Sequence, residues 1–251
     1  MDSLSHLLTL LAPRCEVNLH CRFGGRWQAG HEQMRSGIVP WHFVLRGEGR
    51  LTVGSQTRHM RAGDVILLPH GSPHLMESLV EWGQVLPVAH RFNGTLTEMR
   101  TGSESDALEM LCGEFYFGPH VSWLFAEETE LIHLHTAERE DCPELEILLN
   151  VLVRESLAEH PGGSAIVRSL GDTLLVLLLR TLLGAEEPPG GLLRLMGDER
   201  LMPVVLAVRV PPAQPRTMVS MRARSFLSHP SSSSSLPLAH SSIRLSLPLC
   251  R

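Results

Sequence analysis

Short apolar stretches of strand length, separated by glycine-containing turns, fill residues 14–136 and constrain the fold more than any other feature of the chain. The clearest stretches are Trp41–Leu45, Leu51–Val53, Thr57–Met60 and Val65–Pro69. Apolar strands spaced about 8 to 12 residues apart are typical of a β-sandwich or a β-barrel. The last stretch opens with four consecutive apolar residues, which indicates a strand covered on both faces or the inner wall of a small barrel.

Residues 144–183 change to helical periodicity. Four leucines from Leu145 to Leu152 recur at i, i+3, i+4 and i+7, Gly162-Gly163 interrupts the pattern, and Ala165–Leu183 resumes it. These residues therefore predict a helical hairpin. Because Leu174–Leu179 is apolar around the whole helix, it needs cover on more than one side. We expect the barrel and a second subunit to supply that cover; burial within one chain is the alternative.

Two shorter helices flank these regions. The first has leucines at positions 4, 7, 8 and 11, with Ser3 as its predicted N-cap, and the second covers Leu192–Val208. The chain is accordingly divided into a barrel with an N-terminal helix (1–137), a helical region (138–208) and a C-terminal segment (209–251).

The C-terminal segment has its own composition. The chain has no lysine; residues 1–208 carry 16 Arg against 27 acidic residues, whereas residues 209–251 carry 6 Arg and no acidic residue. The last 43 residues also contain 11 Ser and 6 Pro. Such a segment buries too little apolar surface to offset the entropy of ordering, so we expect a disordered, weakly basic tail.

Targeting and redox signals indicate a cytoplasmic protein. The longest apolar run has six residues, whereas a membrane-spanning helix needs about 20. The opening Met1-Asp2-Ser3 lacks the basic residues of a signal peptide. Five cysteines in 251 residues do not form a disulfide framework. We therefore expect no membrane association and a reducing compartment.

Two histidine-containing segments carry the most specific sequence signal. Trp41–Gly49 contains His42, and Gly63–His74 contains His70 and His74. They resemble the first and second conserved motifs of the cupin superfamily, whose catalytic members hold a metal with three histidines and one carboxylate from these motifs. Zinc needs about four ligands, or three and a water. Because this chain offers two or three imidazoles and no placed carboxylate, we predict no cofactor, and the three histidines are weak metal candidates.

A further histidine pair alternates along the chain. His133 and His135 lie on one side of a predicted strand and would in principle chelate a metal. Since no cysteine or carboxylate stands at ligand spacing on that face, we expect them to end the barrel and face solvent.

The cysteines permit a redox hypothesis. Cys21 lies between His20 and Arg22, which would stabilise a thiolate if their side chains met it. Cys112 is predicted on a later barrel strand. One interpretation is a redox-sensing thiol at Cys21 with Cys112 or Cys15 as its resolving partner. The alternative is buried, inert thiols.

From Met1 to about Val208 the chain resembles the AraC/XylS family of bacterial transcription regulators, in particular those with an N-terminal cupin-type effector domain. The resemblance is carried by Asp2–Leu8, Trp41–Leu45, Gly63–His74, Cys112-Gly113 and the hairpin around Gly162-Gly163. It implies an α+β fold, in which a cupin-type β-barrel (double-stranded β-helix) is followed by a dimerising helical hairpin. It also implies a barrel that senses a small molecule or an oxidant.

The same resemblance implies an effector pocket at His42, Phe43, Leu67 and His74, and a homodimer formed through the 144–183 helices. It implies a regulator and not an enzyme. The alternative is a cupin metalloenzyme, an oxygenase or isomerase, that uses His42 and His74. A third interpretation is an orphan dimerisation unit that pairs with an intact regulator.

The resemblance changes in the C-terminal segment. Pro212–Met221 looks like the entry into the first DNA-binding helix, but Arg216 stands where the family usually has Trp, and the likeness ends after Ser228. We therefore expect a truncated or frameshifted regulator. Specific DNA reading needs a recognition helix in the major groove, so DNA binding is expected only of an intact family member.

Overall fold

A computed structural model gives the structure for residues 2–102, 108–118, 123–136, 143–158 and 160–197. The disordered tail and the remnant of a DNA-binding domain predicted for 209–251 lie outside these residues. None of the helices described is both long and apolar enough to cross a membrane.

The described residues form four helices and eleven strands. The helices are α1 (Ser3–Leu11), α2 (Pro143–Leu157), α3 (Gly163–Leu183) and α4 (Leu192–Gly197). The strands are β1 (Arg14–Phe23), β2 (Gln28–His31), β3 (Ile38–Arg46), β4 (Glu48–Val53), β5 (Gln56–Arg61), β6 (Asp64–Leu67), β7 (His74–Glu77), β8 (Ala89–Phe92), β9 (Thr97–Thr101), β10 (Leu108–Tyr116) and β11 (Ile132–His135).

Within the described part of the chain, the strands form two sheets that enclose one apolar layer. The larger sheet has the order β11-β6-β3-β10-β1-β9-β8 and the smaller one β2-β7-β4-β5. Side chains of both sheets, including Phe23, Leu51 and Met76, fill the barrel interior. A second apolar layer packs α1, α2 and α3 against the outer face of the larger sheet. The predicted α+β class and the helical hairpin after the barrel are therefore present.

A β-bulge at Asn18 decides which side chains of β1 face the barrel interior. Val17 pairs with Gly113 and Leu19 with Cys112, so Asn18 is the extra residue. Because side chains alternate along a strand, one extra residue exchanges the two faces. Cys15 accordingly packs in the outer layer with the helices, whereas Cys21 lies in the barrel interior.

The helical hairpin buries its most apolar segment within a single chain. Of the run Leu174–Leu179, five leucines are buried between the outer face of the larger sheet and α2. The run therefore does not need a second subunit to cover it, contrary to our expectation. The exposed apolar side chains of the hairpin are Ile147 and Val151 on α2 and Ile166 on α3.

The ends of the short helices differ from the predicted ones. The N-cap of α1 is Asp2, whose Oδ1 accepts the Ser5 N–H at 2.9 Å, and not Ser3. A carboxylate is an effective N-cap because it accepts an otherwise unpaired backbone N–H. In α4 the described helix runs from Leu192 to Gly197, and residues 198–208 of its predicted range are outside the described part.

Candidate functional site

Three histidines from three strands meet inside the barrel. His42 of β3 and His74 of β7 place their Nε2 atoms 3.1 Å apart, and the ring of His31 of β2 stacks on His74 with a centroid distance of 4.5 Å. Sequence analysis identified His42 and His74 but missed His31, since its ring joins the others only through the pairing of β2 with β7.

The hydrogen bonds fix the tautomers of the two innermost rings. His74 Nδ1 lies 3.0 Å from the carbonyl oxygen of Ser72, which only accepts, so Nδ1 carries the proton. In the neutral ring Nε2 is then an acceptor, and His42 Nε2–H donates to it. The remaining His42 Nδ1 is a buried acceptor without a partner among the described residues.

All three imidazoles are held in the neutral state. Burial, and secondly the neighbouring His74 and His31, lowers the pKa of His42 well below its ordinary value. Burial lowers the pKa of His74 to about 4 and also lowers the pKa of His31. The interior therefore disfavours positive charge.

These residues do not make the metal site of a catalytic cupin. Although His31, His42 and His74 meet, no group of three His, Cys, Asp or Glu side chains among the described residues has the arrangement needed to hold a metal ion. The third candidate, His70, is separate from the other two because its Nε2–H donates to the carbonyl oxygen of Ala126 at 2.8 Å. His42 and His74 already bond to each other, and although His31 and Glu114 line the same cavity, these side chains are not placed as a zinc ligand set. The donor set therefore gives no support to the metalloenzyme alternative.

The four residues predicted to line one effector pocket lie on two sides of the larger sheet. His42 and His74 border a barrel-interior cavity of about 40 Å³, together with Cys112 and Met34. Phe43 and Leu67 face the helices instead, because neighbouring side chains on a strand alternate. A single pocket lined by His42, Phe43, Leu67 and His74 was therefore a wrong prediction.

A larger cleft lies between the barrel and α2. Its volume is about 400 Å³, and Phe43 forms part of its wall, with Arg46 and Glu109 beside it and Glu146 and Asn150 contributed by α2. Arg46 Nε donates to Glu109 at 2.8 Å. The hydrogen-bonded ion pair links β3 to β10, and no local sequence signal joins two residues so far apart.

Cys21 and Cys112 form a thiol pair in the barrel interior. Both are buried, and they lie diagonally across the β1–β10 ladder. The hydrogen bond with the Cys21 thiol, followed by burial, raises the pKa of Cys112 well above its ordinary value. Burial raises the pKa of Cys15 to about 12 in the outer layer, on the other side of the bulge. The geometry thus selects Cys112, and not Cys15, as the cysteine beside Cys21.

The neighbours in sequence do not stabilise a Cys21 thiolate. His20 and Arg22 point to the opposite face of β1, where His20 Nε2 lies 2.8 Å and Arg22 Nε 4.0 Å from Glu109 Oε1. Burial alone raises the pKa of Glu109, but the hydrogen bond from His20 and the neighbouring arginines hold it below its ordinary value. Strand alternation explains why the expected contact is absent.

His133 and His135 bind a buried carboxylate instead of only facing solvent. His135 Nδ1 lies 2.7 Å from Asp64 Oδ1, and His133 Nε2 lies 2.9 Å from Asp64 Oδ2. The carboxylate comes from β6, which pairs with β11. The expectation that no carboxylate shares their face was wrong, because pairing of distant strands supplied one.

Comparison with known proteins agrees with this architecture. The family model described as Cupin matches residues 2–184. An uncharacterized HTH-type transcriptional regulator of Haemophilus influenzae is 28% identical over 208 residues, which are 83% of this chain and 68% of that protein. The HTH-type transcriptional regulator MtrA of Neisseria gonorrhoeae is 29% identical over 206 residues, which are 80% of this chain and 66% of that protein.

The chain thus spans about two thirds of the length of these curated relatives. Among solved structures, an apo form of ToxT from Vibrio cholerae covers 84% of this chain and 69% of that chain, with 7% identity and a TM-score of 0.41. The family match confirms the cupin-type barrel predicted from the two histidine motifs. The chain belongs to the cupin family and, as the predicted AraC/XylS resemblance requires, is similar over most of its length to HTH-type transcriptional regulators.

Proposed function

We propose that this chain is the effector-sensing part of an AraC-type transcription regulator, that it works in the cytoplasm as a homodimer, and that oxidation of Cys21 is its signal. The observation that carries the proposal is the buried pair of Cys21 and Cys112, which are diagonal neighbours on the β1–β10 ladder inside the barrel. The names of the curated relatives support a regulator over an enzyme. The DNA-reading part is not among the described residues, so the proposal concerns sensing alone.

The proposed reaction uses a peroxide as the oxidant. Peroxide oxidises the Cys21 thiol to a sulfenic acid and releases one water. The Cys112 thiol then attacks that sulfur, which forms the disulfide and releases a second water, so that two electrons pass from the thiols to the peroxide. The interior cavity beside Cys112 has about 40 Å³, enough for one molecule of this size. Because Cys21 is itself buried, only small oxidants are expected to reach it quickly.

Treatment of the full chain with hydrogen peroxide is expected to yield a Cys21–Cys112 disulfide, mapped by mass spectrometry of a non-reduced digest. Cys21→Ser is expected to abolish it. Cys15→Ser is the matched control, because Cys15 is equally buried but lies in the outer layer; this variant should form the disulfide as the parent chain does. A disulfide that includes Cys15, or an oxidant response that survives Cys21→Ser, would contradict the proposal.

The interior cavity beside His42 and His74 is too small for an organic effector. Ligand pockets commonly measure about 300–1,000 Å³. Of the two cavities described above, the cleft between the barrel and α2 reaches that range and the interior cavity does not. We propose that an organic effector binds in this cleft beside Phe43, a residue of the predicted effector pocket, where it would contact both the barrel and the hairpin.

The proposed dimer uses the exposed apolar face of α2. Ile147 and Val151 stand one helical turn apart and are 64% and 39% exposed. The double variant Ile147→Glu/Val151→Glu is expected to raise the dimer dissociation constant by about 100-fold, because it brings carboxylates into an apolar contact. Sedimentation equilibrium measures the change. Phe92→Glu, on exposed β8, is the control and should leave the dimer intact; equal weakening by both variants would place the interface elsewhere.

A further inference from the structure

The turn before β6 holds the end of β11 at two adjacent points. Asp64 accepts three hydrogen bonds, from the Arg61 backbone N–H at 2.8 Å, from His133 and from His135. Immediately before it, the Gly63 carbonyl oxygen accepts both the N–H and the hydroxyl of Thr136, at 2.8 and 2.7 Å. The last strand of the barrel is therefore fixed to the β5–β6 turn by side chains as well as by its ladder.

This contact lies where the barrel meets the helical hairpin. Gly63 and Thr136 line the cleft of about 400 Å³, and α2 forms the opposite wall with Glu146, Asn150 and Val153. Thr136 is also the last described residue before α2, which begins at Pro143. Any movement of the end of β11 consequently changes the side of the cleft that faces α2.

Among the described residues, the side chains that contact the buried carboxylate of Asp64 are those of His133 and His135. The Asp64 side chain is 2% exposed, and Arg61 reaches it through the backbone alone. Of the described side chains on the strands packed against it, the titratable ones that face it are His133 of β11 and His135 of β11. Although burial raises the pKa of Asp64, the hydrogen bonds from these histidines lower it below its ordinary value, so the carboxylate is charged.

Both histidines are accessible to protons from solvent, since about a quarter of each side chain is exposed. A hydrogen bond from an imidazolium to a carboxylate is about twice as strong as one between neutral groups. Histidine is also the side chain that ordinarily changes charge between about pH 5 and 8. The strength of this contact therefore depends on pH in that range.

We propose that Asp64, His133 and His135 form a proton-operated latch, which holds the end of β11 against the barrel more firmly in mildly acidic than in alkaline solution. The latch goes beyond the proposed thiol chemistry and uses none of its residues. Its response has the opposite sign to that of the interior histidines, which are held neutral. Protonation thus strengthens the contact between Asp64 and the end of β11, whereas it destabilises the barrel interior.

Hydrogen exchange of the full chain, measured by mass spectrometry at pH 6 and pH 8 and corrected for intrinsic exchange rates, tests the latch. The protection of residues 132–136 is divided by that of α3, which contains no histidine. We expect this ratio to be about threefold to tenfold higher at pH 6 than at pH 8 in the parent chain.

The double variant His133→Gln/His135→Gln keeps neutral hydrogen-bond donors but does not titrate, so its ratio should be the same at both pH values. His90→Gln removes an exposed histidine from β8 and should keep the parent response. A parent ratio that does not change between pH 6 and 8, or a change that persists in the double variant, overturns the proposal. Neither outcome bears on the disulfide between Cys21 and Cys112, which is read in a separate experiment.

Discussion

The interior histidines are expected to reduce the free energy of unfolding by at least about 2 kcal/mol when the pH is lowered from 7 to 5. In the unfolded chain the three interior histidines have ordinary pKa values near 6.5, whereas the folded barrel lowers all three. The unfolded state then binds more protons between the two pKa values, so stability falls as the pH falls through that window. It is greatest above about pH 6.5.

The magnitude follows from His74. With a folded pKa of about 4, His74 accounts for about 2 kcal/mol of the loss between pH 7 and 5. Burial also lowers the pKa of His42, which therefore acts in the same direction. The free energy of unfolding of a domain is typically only about 5–15 kcal/mol, so this loss is a large part of it.

Urea unfolding at pH 7, 6 and 5 measures this effect. His42→Leu removes one buried titrating group and should reduce the loss, even though it changes the stability at pH 7. His90→Gln, on exposed β8, should show the loss of the parent chain. If His42→Leu and the parent chain lose the same free energy between pH 7 and 5, the interior histidines are not responsible.

Gly113→Ala is expected to destabilise the barrel by more than about 3 kcal/mol, or to prevent folding. A Cβ at this position would lie 2.1 Å from the Glu16 carbonyl oxygen and 2.5 Å from Cζ2 of Trp41. The first is backbone of the paired strand β1, and the second belongs to a fully buried ring. Neither moves without disrupting the core, since overpacking forces shifts of backbone and side chains.

Gly118→Ala is the matched control for this substitution. Gly118 follows the same strand, and a Cβ there would meet no heavy atom within 4 Å. Its change in unfolding free energy should stay within about 0.5 kcal/mol. Urea or thermal unfolding compares the two variants, and a Gly113→Ala protein as stable as Gly118→Ala would refute the close approach of β1 and β10 at Gly113.

Local sequence patterns were sufficient to predict those strands and helices whose formation depends on their own residues. The stretches Trp41–Leu45, Leu51–Val53 and Thr57–Met60 lie within β3, β4 and β5, because alternating apolar residues and flanking glycine turns specify strands. The 144–183 hairpin was found for the same reason, through its helical repeat. The helix boundary set by Gly162-Gly163 also needs no distant partner.

Local patterns failed where a face or a contact depended on distant residues. The bulge at Asn18 left no signal in the sequence, yet it places Cys15 and Cys21 on opposite faces of the larger sheet. The sequence showed that the side chains of β3 alternate between two faces. It did not show which face meets the helices, so the position of Phe43 could not be predicted. The carboxylate beside His133 and His135 lies about seventy residues earlier in the chain, at Asp64.

By itself, the sequence determined that this chain forms a strand-rich barrel followed by a helical hairpin, with His42, His74, Cys21 and Cys112 on its strands. These features depend on residue periodicity and turn residues, which act over a few positions. Only the tertiary structure decided which imidazoles and thiols share the interior, that Leu174–Leu179 is covered within one chain, and which histidines bind Asp64. Those outcomes depend on strand register and layer packing, where a shift of one residue exchanges inside and outside.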